Sequence, residues 1–174
     1  MADKTLSDPV FSGDWASYYE NTGHRPPRAT LIRALDSFDR EERPDNALAA
    51  DLGCGSGRDT IEILRRGWPV HAVDASRDAN IDTQLARYED MSLPQCDLIN
   101  AAFSLPLCPP ETFPGVWRKV HDALRESGRF SGQLYGDRDS WAGREGMTFH
   151  DASEIDALLA GFEVEYLEEE EEDS

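Results

Sequence analysis

Three glycines at alternate positions, Gly53, Gly55 and Gly57, follow a short apolar run that carries an acid, Asp51, and a second acid, Asp74, lies 21 residues beyond Gly53. Glycine has no Cβ, so a chain with this spacing can turn tightly and let a ligand approach the backbone closely. If a helix follows, its first amides add donors for carboxylate or hydroxyl oxygens. An acid ending the next strand suits the paired hydroxyls of a ribose. Together these features describe a site for a nucleotide-like ligand. Two common alternatives fail on spacing. A dinucleotide fingerprint requires G-x-G-x-x-G, and here the third glycine comes one residue early, which disfavours a nicotinamide-linked oxidoreductase. A phosphate loop needs Gly-Lys-Ser or Gly-Lys-Thr, which is absent, so ATP hydrolysis is not expected.

The surrounding elements are those that such a site needs. Trp15 to Tyr19 reads as the aromatic start of a short helix, broken by the segment Thr22 to Pro27. Leu31, Ile32, Leu35 and Phe38 recur at helical spacing, followed by a polar loop from Asp39 to Asn46. Ala47–Leu52 is a buried strand, the glycines are a loop, and Ile61, Leu64 and Arg65 mark the next helix, closed by Gly67. Pro69–Asp74 completes a strand–helix–strand unit. Thr83–Tyr88 is a weak third strand and Asp97–Phe103 a fourth. Phe113, Val116, Trp117, Val120 and Leu124 form a helix that stops at Ser127-Gly128. Arg129–Tyr135 is a fifth strand with a loop from Gly136 to Met147 after it, Ser153–Leu159 a helix capped by Asp151 or Ser153, and Phe162–Leu167 a last strand. Alternating strands and helices predict an α/β fold: a doubly wound, mostly parallel sheet with helices on both faces.

With these residues in place, Asp51-Leu-Gly-Cys-Gly-Ser-Gly57 and Asp74 resemble the first motif and the following acidic position of the class I S-adenosylmethionine-dependent methyltransferases. Arg125-Glu-Ser-Gly-Arg-Phe130 is similar to that family's Leu-Arg-Pro-Gly-Gly segment, with Glu126-Ser127 in place of the usual Pro-Gly. Asn100 to Pro110 and Gly136-Asp-Arg-Asp-Ser-Trp141 look like a tellurite-resistance-type subgroup. The resemblance implies a Rossmann-like fold, S-adenosylmethionine as cofactor with S-adenosylhomocysteine as product, and methyl transfer to a small-molecule acceptor. The alternative is a module that binds these molecules without transfer. The implied cofactor contacts are Asp51, Gly53, Cys54, Gly55, Gly57, Asp74 and Ala75, then Glu89 or Asp90 at adenine, and Asn100 and Phe103 beside the methyl group. No metal is implied. Among His24, Tyr19, Asp137, Asp139 and His150 no proton acceptor is singled out. His71 reads as a core histidine and His121 as solvated. Trp15, Tyr18 and Tyr19 either cover the cofactor or staple onto the sheet.

Composition sets the remaining bounds. A net charge of −18 and the absence of a Lys/Arg cluster disfavour nucleic acid as a partner. So much acid reads first as a solvated surface and second as a field that attracts cationic ligands. No apolar stretch approaches a membrane span and the N-terminus lacks a signal-peptide core, so a cytoplasmic protein without membrane contact is expected. Three scattered cysteines suggest reduced thiols. Oligomeric state is not legible. The chain is expected to be one methyltransferase domain, residues 1–174, made of a flexible arm (1–13), an N-terminal helical lid (14–46) and a Rossmann-like core (47–174). Only eight residues separate Asp74 from Thr83, whereas a parallel crossover takes about a dozen or more. We expect residues to be lacking there, and beyond Ser174 where the family would place a seventh, antiparallel strand, through disorder. The other reading is a true deletion that displaces the third strand and leaves the adenine pocket incomplete.

Overall fold

The computed structural model describes residues 14–75 and 84–170. The arm ahead of Asp14, the end of the acidic tail and the stretch containing Ala79 to Thr83 lie outside them. Two helices come first, α1 (Trp15–Thr22) and α2 (Ala29–Arg40). Five strands then build one sheet: β1 (Ala49–Leu52), β2 (Val70–Asp74), β3 (Gln84–Leu85), β4 (Cys96–Ala101) and β5 (Leu124–Gly132). The order is β3-β2-β1-β4-β5, and every neighbouring pair is parallel. This is the doubly wound sheet the pattern predicts, with its order reversing between β1 and β4. Helices α3 (Arg58–Arg65) and α4 (Phe113–Ala123) connect strands, and α5 (Ala152–Leu159) closes the chain.

Alternation along the strands explains how two cores arise. Ala49 and Leu98 pack with Leu31, Leu35 and Phe38 of α2, Ile63 of α3 and Trp68 on one face. Ala50, Leu52, Ile99 and Ala101 pack with Val116, Trp117 and Val120 of α4 on the other. At the edge away from the glycine loop, Asp97 is buried and accepts hydrogen bonds from Leu48 N (2.9 Å) and an Arg125 guanidinium nitrogen (2.6 Å). That pair locks the starts of β1, β4 and β5 together. The last helix begins on a capping box, with Asp151 accepting from Glu154 N and the Glu154 carboxylate accepting from Asp151 N.

Several expectations need correction. On α3 the buried residues are Asp59, Thr60 and Ile63, while Ile61 and Leu64 are exposed. Hydrogen bonds made by Asp59 and Thr60 to the sheet set the rotation of this helix and outweigh burial of the two aliphatics. The fifth strand starts at Leu124, directly after α4, and not at Arg129. Its register shifts between Cys96↔Leu124 and Leu98↔Arg129, so Arg125 to Gly128 form an irregularity within the strand, where Ser127 has φ +64°. Tyr135 belongs to a separate two-residue strand, β6 (Tyr135–Gly136), paired with β7 (Phe149–His150). No strand forms over Phe162–Leu167: the segment has no ladder partner and is held by side chains, Glu165 to Arg129 at 2.8 Å and Tyr166 under Arg33. The third strand is shortened to two residues but not displaced; it pairs with β2 through Val73↔Gln84 and Asp74↔Leu85 in an uninterrupted sequence. Among the described residues no helix is long and apolar enough to cross a membrane.

Ser127 stands in the left-handed region, where a side chain costs about 1–2 kcal/mol. Replacing it with glycine, the residue the family resemblance places there, should raise the unfolding free energy by roughly 0.5–1 kcal/mol in urea titrations. A variant of unchanged or lower stability would show that Ser127 contributes something its backbone conformation does not reveal.

Candidate functional site

The floor of the site is a row of polar side chains laid down by strand register. Asp51 of β1 is paired with Asn100 of β4, and Asn100 with Ser131 of β5, so the three lie side by side on the face that α2 and α3 cover. Asn100 Nδ2 donates to Asp51 Oδ1 (2.9 Å), and Ser131 Oγ donates to Asn100 Oδ1 (2.8 Å). From α3, Thr60 Oγ1 donates to the other Asp51 oxygen. Asp59 accepts from Arg28 N at 3.0 Å and pairs with Arg58 at 3.3 Å. Burial is the main reason the Asp51 carboxyl is raised to about 6; Thr60 and Asn100 oppose the shift and nearby Asp59 adds to it. Asn100 is wholly buried, so its side chain is committed to this network and not to a ligand.

Above that floor, the chain leaves β1 through glycines in conformations that L side chains avoid. Gly53, Gly55 and Gly57 have φ +69°, +51° and +82°. A Cβ on Gly53 would lie 2.4 Å from the Ser104 Cβ, so close approach requires glycine there too. Gly57 is the left-handed N-cap of α3. Asp74 ends β2, is buried, and its Oδ2 accepts from Gly55 N at 2.8 Å. The strand-end acid and the loop are thus joined directly. Ala75, next along, is exposed. Burial foremost, with Asp51 and Asp74 nearby, pushes the Cys54 thiol up, so this cysteine is not a nucleophile. All three cysteines are free and buried.

Three further segments converge on the loop. From α1, Tyr19 lies against Gly55, where a Cβ would meet its ring at 2.7 Å. The aromatic helix therefore covers the glycine loop, with Trp15 and Tyr18 grouped around Tyr19. After β3, the Tyr88 hydroxyl reaches to within 2.9 Å of the position a Gly53 Cβ would take, and burial drives its pKa upward. Glu89 and Asp90 follow in an exposed turn. Its carbonyls are held by the Lys119 ammonium, which donates to Glu89 O (2.6 Å), Met91 O (3.0 Å) and Tyr88 O (3.5 Å). After β4, Phe103 adopts φ +53°, rare for a bulky residue. Gln133 Oε1 accepts from Phe103 N (3.1 Å), and Gln133 Nε2 donates to Thr30 of α2 (2.9 Å). Ser104 Oγ donates to Leu52 O at 2.6 Å.

In an open α/β sheet the ligand crevice lies at the carboxyl ends of the strands, where the order reverses. Here that point is between β1 and β4, flanked by the glycine loop, Asp74, Phe103 and Tyr19. The fold is that of the class I methyltransferases. A 1,6-didemethyltoxoflavin-N1-methyltransferase from Burkholderia thailandensis, solved with its substrate and S-adenosylhomocysteine, matches 91% of this chain and 80% of its own at a TM-score of 0.61 and 21% identity. TehB from Haemophilus influenzae matches 84% of this chain and 55% of its own at 0.62 and 14% identity. In sequence, the chain is 46% identical over 67 residues to a probable cobalt-precorrin-6B C(15)-methyltransferase from Methanococcus vannielii, covering 38% of this chain and 36% of that protein. The chain therefore spans about a third of the length of that relative. No family model matches.

The structure brings Thr60, Asp59, Ser131, Tyr88, Ser104 and Gln133 beside the expected loop and Asp74, and the sequence pattern did not point to these six. The available signal was periodicity: Ser131 and Asn100 fall on the inward face of buried strands, where a polar residue needs a partner. Of the proton-acceptor candidates, His24 and Asp137 are exposed and Asp139 half-buried. His150 is buried against the Phe113 ring at 4.7 Å; its Nε2 has no hydrogen-bond partner among the described residues, and burial holds its pKa below the ordinary value. His71 is half-buried beside Gln84, and His121 is exposed. No proton acceptor is singled out by this arrangement.

The raised Asp51 pKa gives a signed pH dependence. The folded state holds this proton more tightly than the unfolded chain, so the contribution is fully present below about pH 3.8 and is lost as pH rises through about 6. Asp51→Asn removes the titration. The unfolding free energy of the variant minus that of the wild type should therefore become more positive between pH 4 and pH 7, measured by urea denaturation at each pH. A difference independent of pH would mean that Asp51 titrates normally.

Proposed function

We propose that this protein transfers a methyl group from S-adenosylmethionine to a small-molecule acceptor, and that it belongs to the tellurite-resistance-type group of methyltransferases. The observation that carries this reading is the junction of Asp74 with Gly55 N at 2.8 Å, across the ends of β2 and β1 and beside the point where the strand order reverses. A carboxylate there can accept both hydroxyls of a ribose, and the positive-φ glycines leave the space of a Cβ open to the cofactor. The residues present fit the group: Gly53, Cys54, Gly55 and Gly57 supply the cradle, Asp74 and Ala75 the ribose end, and Glu89 or Asp90 the adenine side. Asp51 and Asn100 serve by holding β1 and β4 in register beneath the loop. Phe103 lies at the methyl end.

When bound, the cofactor supplies a sulfonium-activated methyl carbon open to in-line attack. The protein's part is then to align an acceptor and keep water out, and neither a triad nor a metal is needed for that. Tyr19 over Gly55 and Phe103 held by Gln133 are placed to exclude water from the loop. The similar Burkholderia methyltransferase, which holds 1,6-didemethyltoxoflavin beside S-adenosylhomocysteine, supports a small acceptor here as well.

Calorimetric titration of S-adenosylmethionine and S-adenosylhomocysteine tests the reading. Wild type should bind both, and Asp74→Ala should weaken each by roughly ten- to a hundredfold, the range for removing hydrogen bonds to a charged group. Absence of binding to folded wild type would overturn the assignment. Binding without turnover across an acceptor panel would leave a sensing module instead of an enzyme.

A further inference from the structure

With 35 acids against 17 bases in the chain, a cationic side chain with a buried, unbonded nitrogen stands out. Arg66, Arg125 and Arg129 each pair with carboxylates. Arg25 and Arg28, like Arg33, Arg43, Arg65 and Arg118, have no ion pair among the described residues; Arg28 differs from these in that its Nε is buried without a hydrogen bond. Burial foremost, then the Arg58 charge, holds Arg28 below its usual pKa, while Tyr18 and Asp59 oppose the shift and Arg25 adds a little to it. Asp59 is spent on Arg58 and on the Arg28 backbone N–H, so the Arg28 guanidinium Nε is left for another acceptor.

The same arginine leads into an aromatic track. Its guanidinium carbon sits 4.2 Å from the centroid of Phe103. Phe103 is 6.1 Å from Tyr135, and Tyr135 stacks on Phe149 at 6.1 Å. All three rings are half-buried. Phe103 keeps its strained φ because Gln133 and Thr30 hold it, and strain retained beside a crevice is most often functional.

We propose that the methyl acceptor is a small planar molecule carrying a carboxylate or similarly compact oxyanion, its charge met by Arg28 and Arg25 and its ring laid along Phe103 and Tyr135. This rests on the cofactor reading above and narrows its acceptor class. Planar guanidinium groups match carboxylates in two-point geometry, so charge and orientation are set together. The amino-acid end of the cofactor carries the same chemistry, and the experiment is arranged to separate the two sources.

Benzoate and its neutral counterpart benzamide are titrated, by calorimetry, into the protein alone and into the protein saturated with S-adenosylhomocysteine, using wild type, Arg28→Met and Arg25→Met. Arg25 is exposed, so its variant is available if Arg28→Met fails to fold. Wild type should favour benzoate about tenfold, the preference should vanish in both variants, and affinity for S-adenosylhomocysteine should stay within about twofold. Equal or absent binding of the two probes overturns the proposal. So does a loss of S-adenosylhomocysteine affinity in Arg28→Met that 5′-deoxy-5′-methylthioadenosine, which lacks the amino acid, does not share. Failure of wild type to bind S-adenosylhomocysteine would count against the cofactor reading alone, because the cofactor-free titration still reads the cation pair.

Discussion

Everything at the site rests on one buried carboxylate. Asp51 is taken out of water at the end of β1, which costs several kcal/mol for an ion, and it is tolerated because Thr60 and Asn100 satisfy both of its oxygens. Those two bonds come from different elements, so one side chain fixes the rotation of α3 and the register of β4. Ser131 carries the constraint to β5, and Asp59 carries it to Arg28 at the start of α2. A half-satisfied network would be worse than an apolar one, so its members stand or fall together. The glycine loop leaves β1 one residue after Leu52, the neighbour of Asp51, and inherits its position from that network.

The N-terminal helices and the sheet are coupled through the same region. Asp59 accepts from Arg28 N, Gln133 spans Phe103 and Thr30, and Tyr19 rests on Gly55. Displacing α1 and α2 would therefore disturb the backbone at the ends of β4 and β5, and not only uncover the loop. A segment that contributes no strand is thus tied to the strand ends through side chains.

Much of this was legible in the sequence, and the exceptions share a cause. The alternation of Ala49, Ala50, Leu98 and Ile99, the glycine spacing and the acid at Asp74 are local patterns, and each led to the right element. The apolar Ile61 and Leu64 point to the wrong face of α3, because two sheet residues, Asp51 nine positions back and Asn100 forty-one ahead, claim Thr60 and Asp59. The strand expected at Phe162–Leu167 has the right residues but no neighbour to bond with, a fact about topology that composition cannot carry. Asn100 was expected at the methyl group from its place after a strand. Only the register shows its amide spent on Asp51 and Ser131.

The turn carrying Glu89 and Asp90 offers a different kind of access to the molecule. Lys119 binds its three carbonyl oxygens through one ammonium, and the only other lysine in the sequence is Lys4. An amine engaged in this way is withheld from acylating reagents while the turn is intact. The chain thus contains its own nearly unique chemical reporter: the extent of labelling at residue 119 registers whether the segment assigned to the adenine side is formed, without any residue being changed.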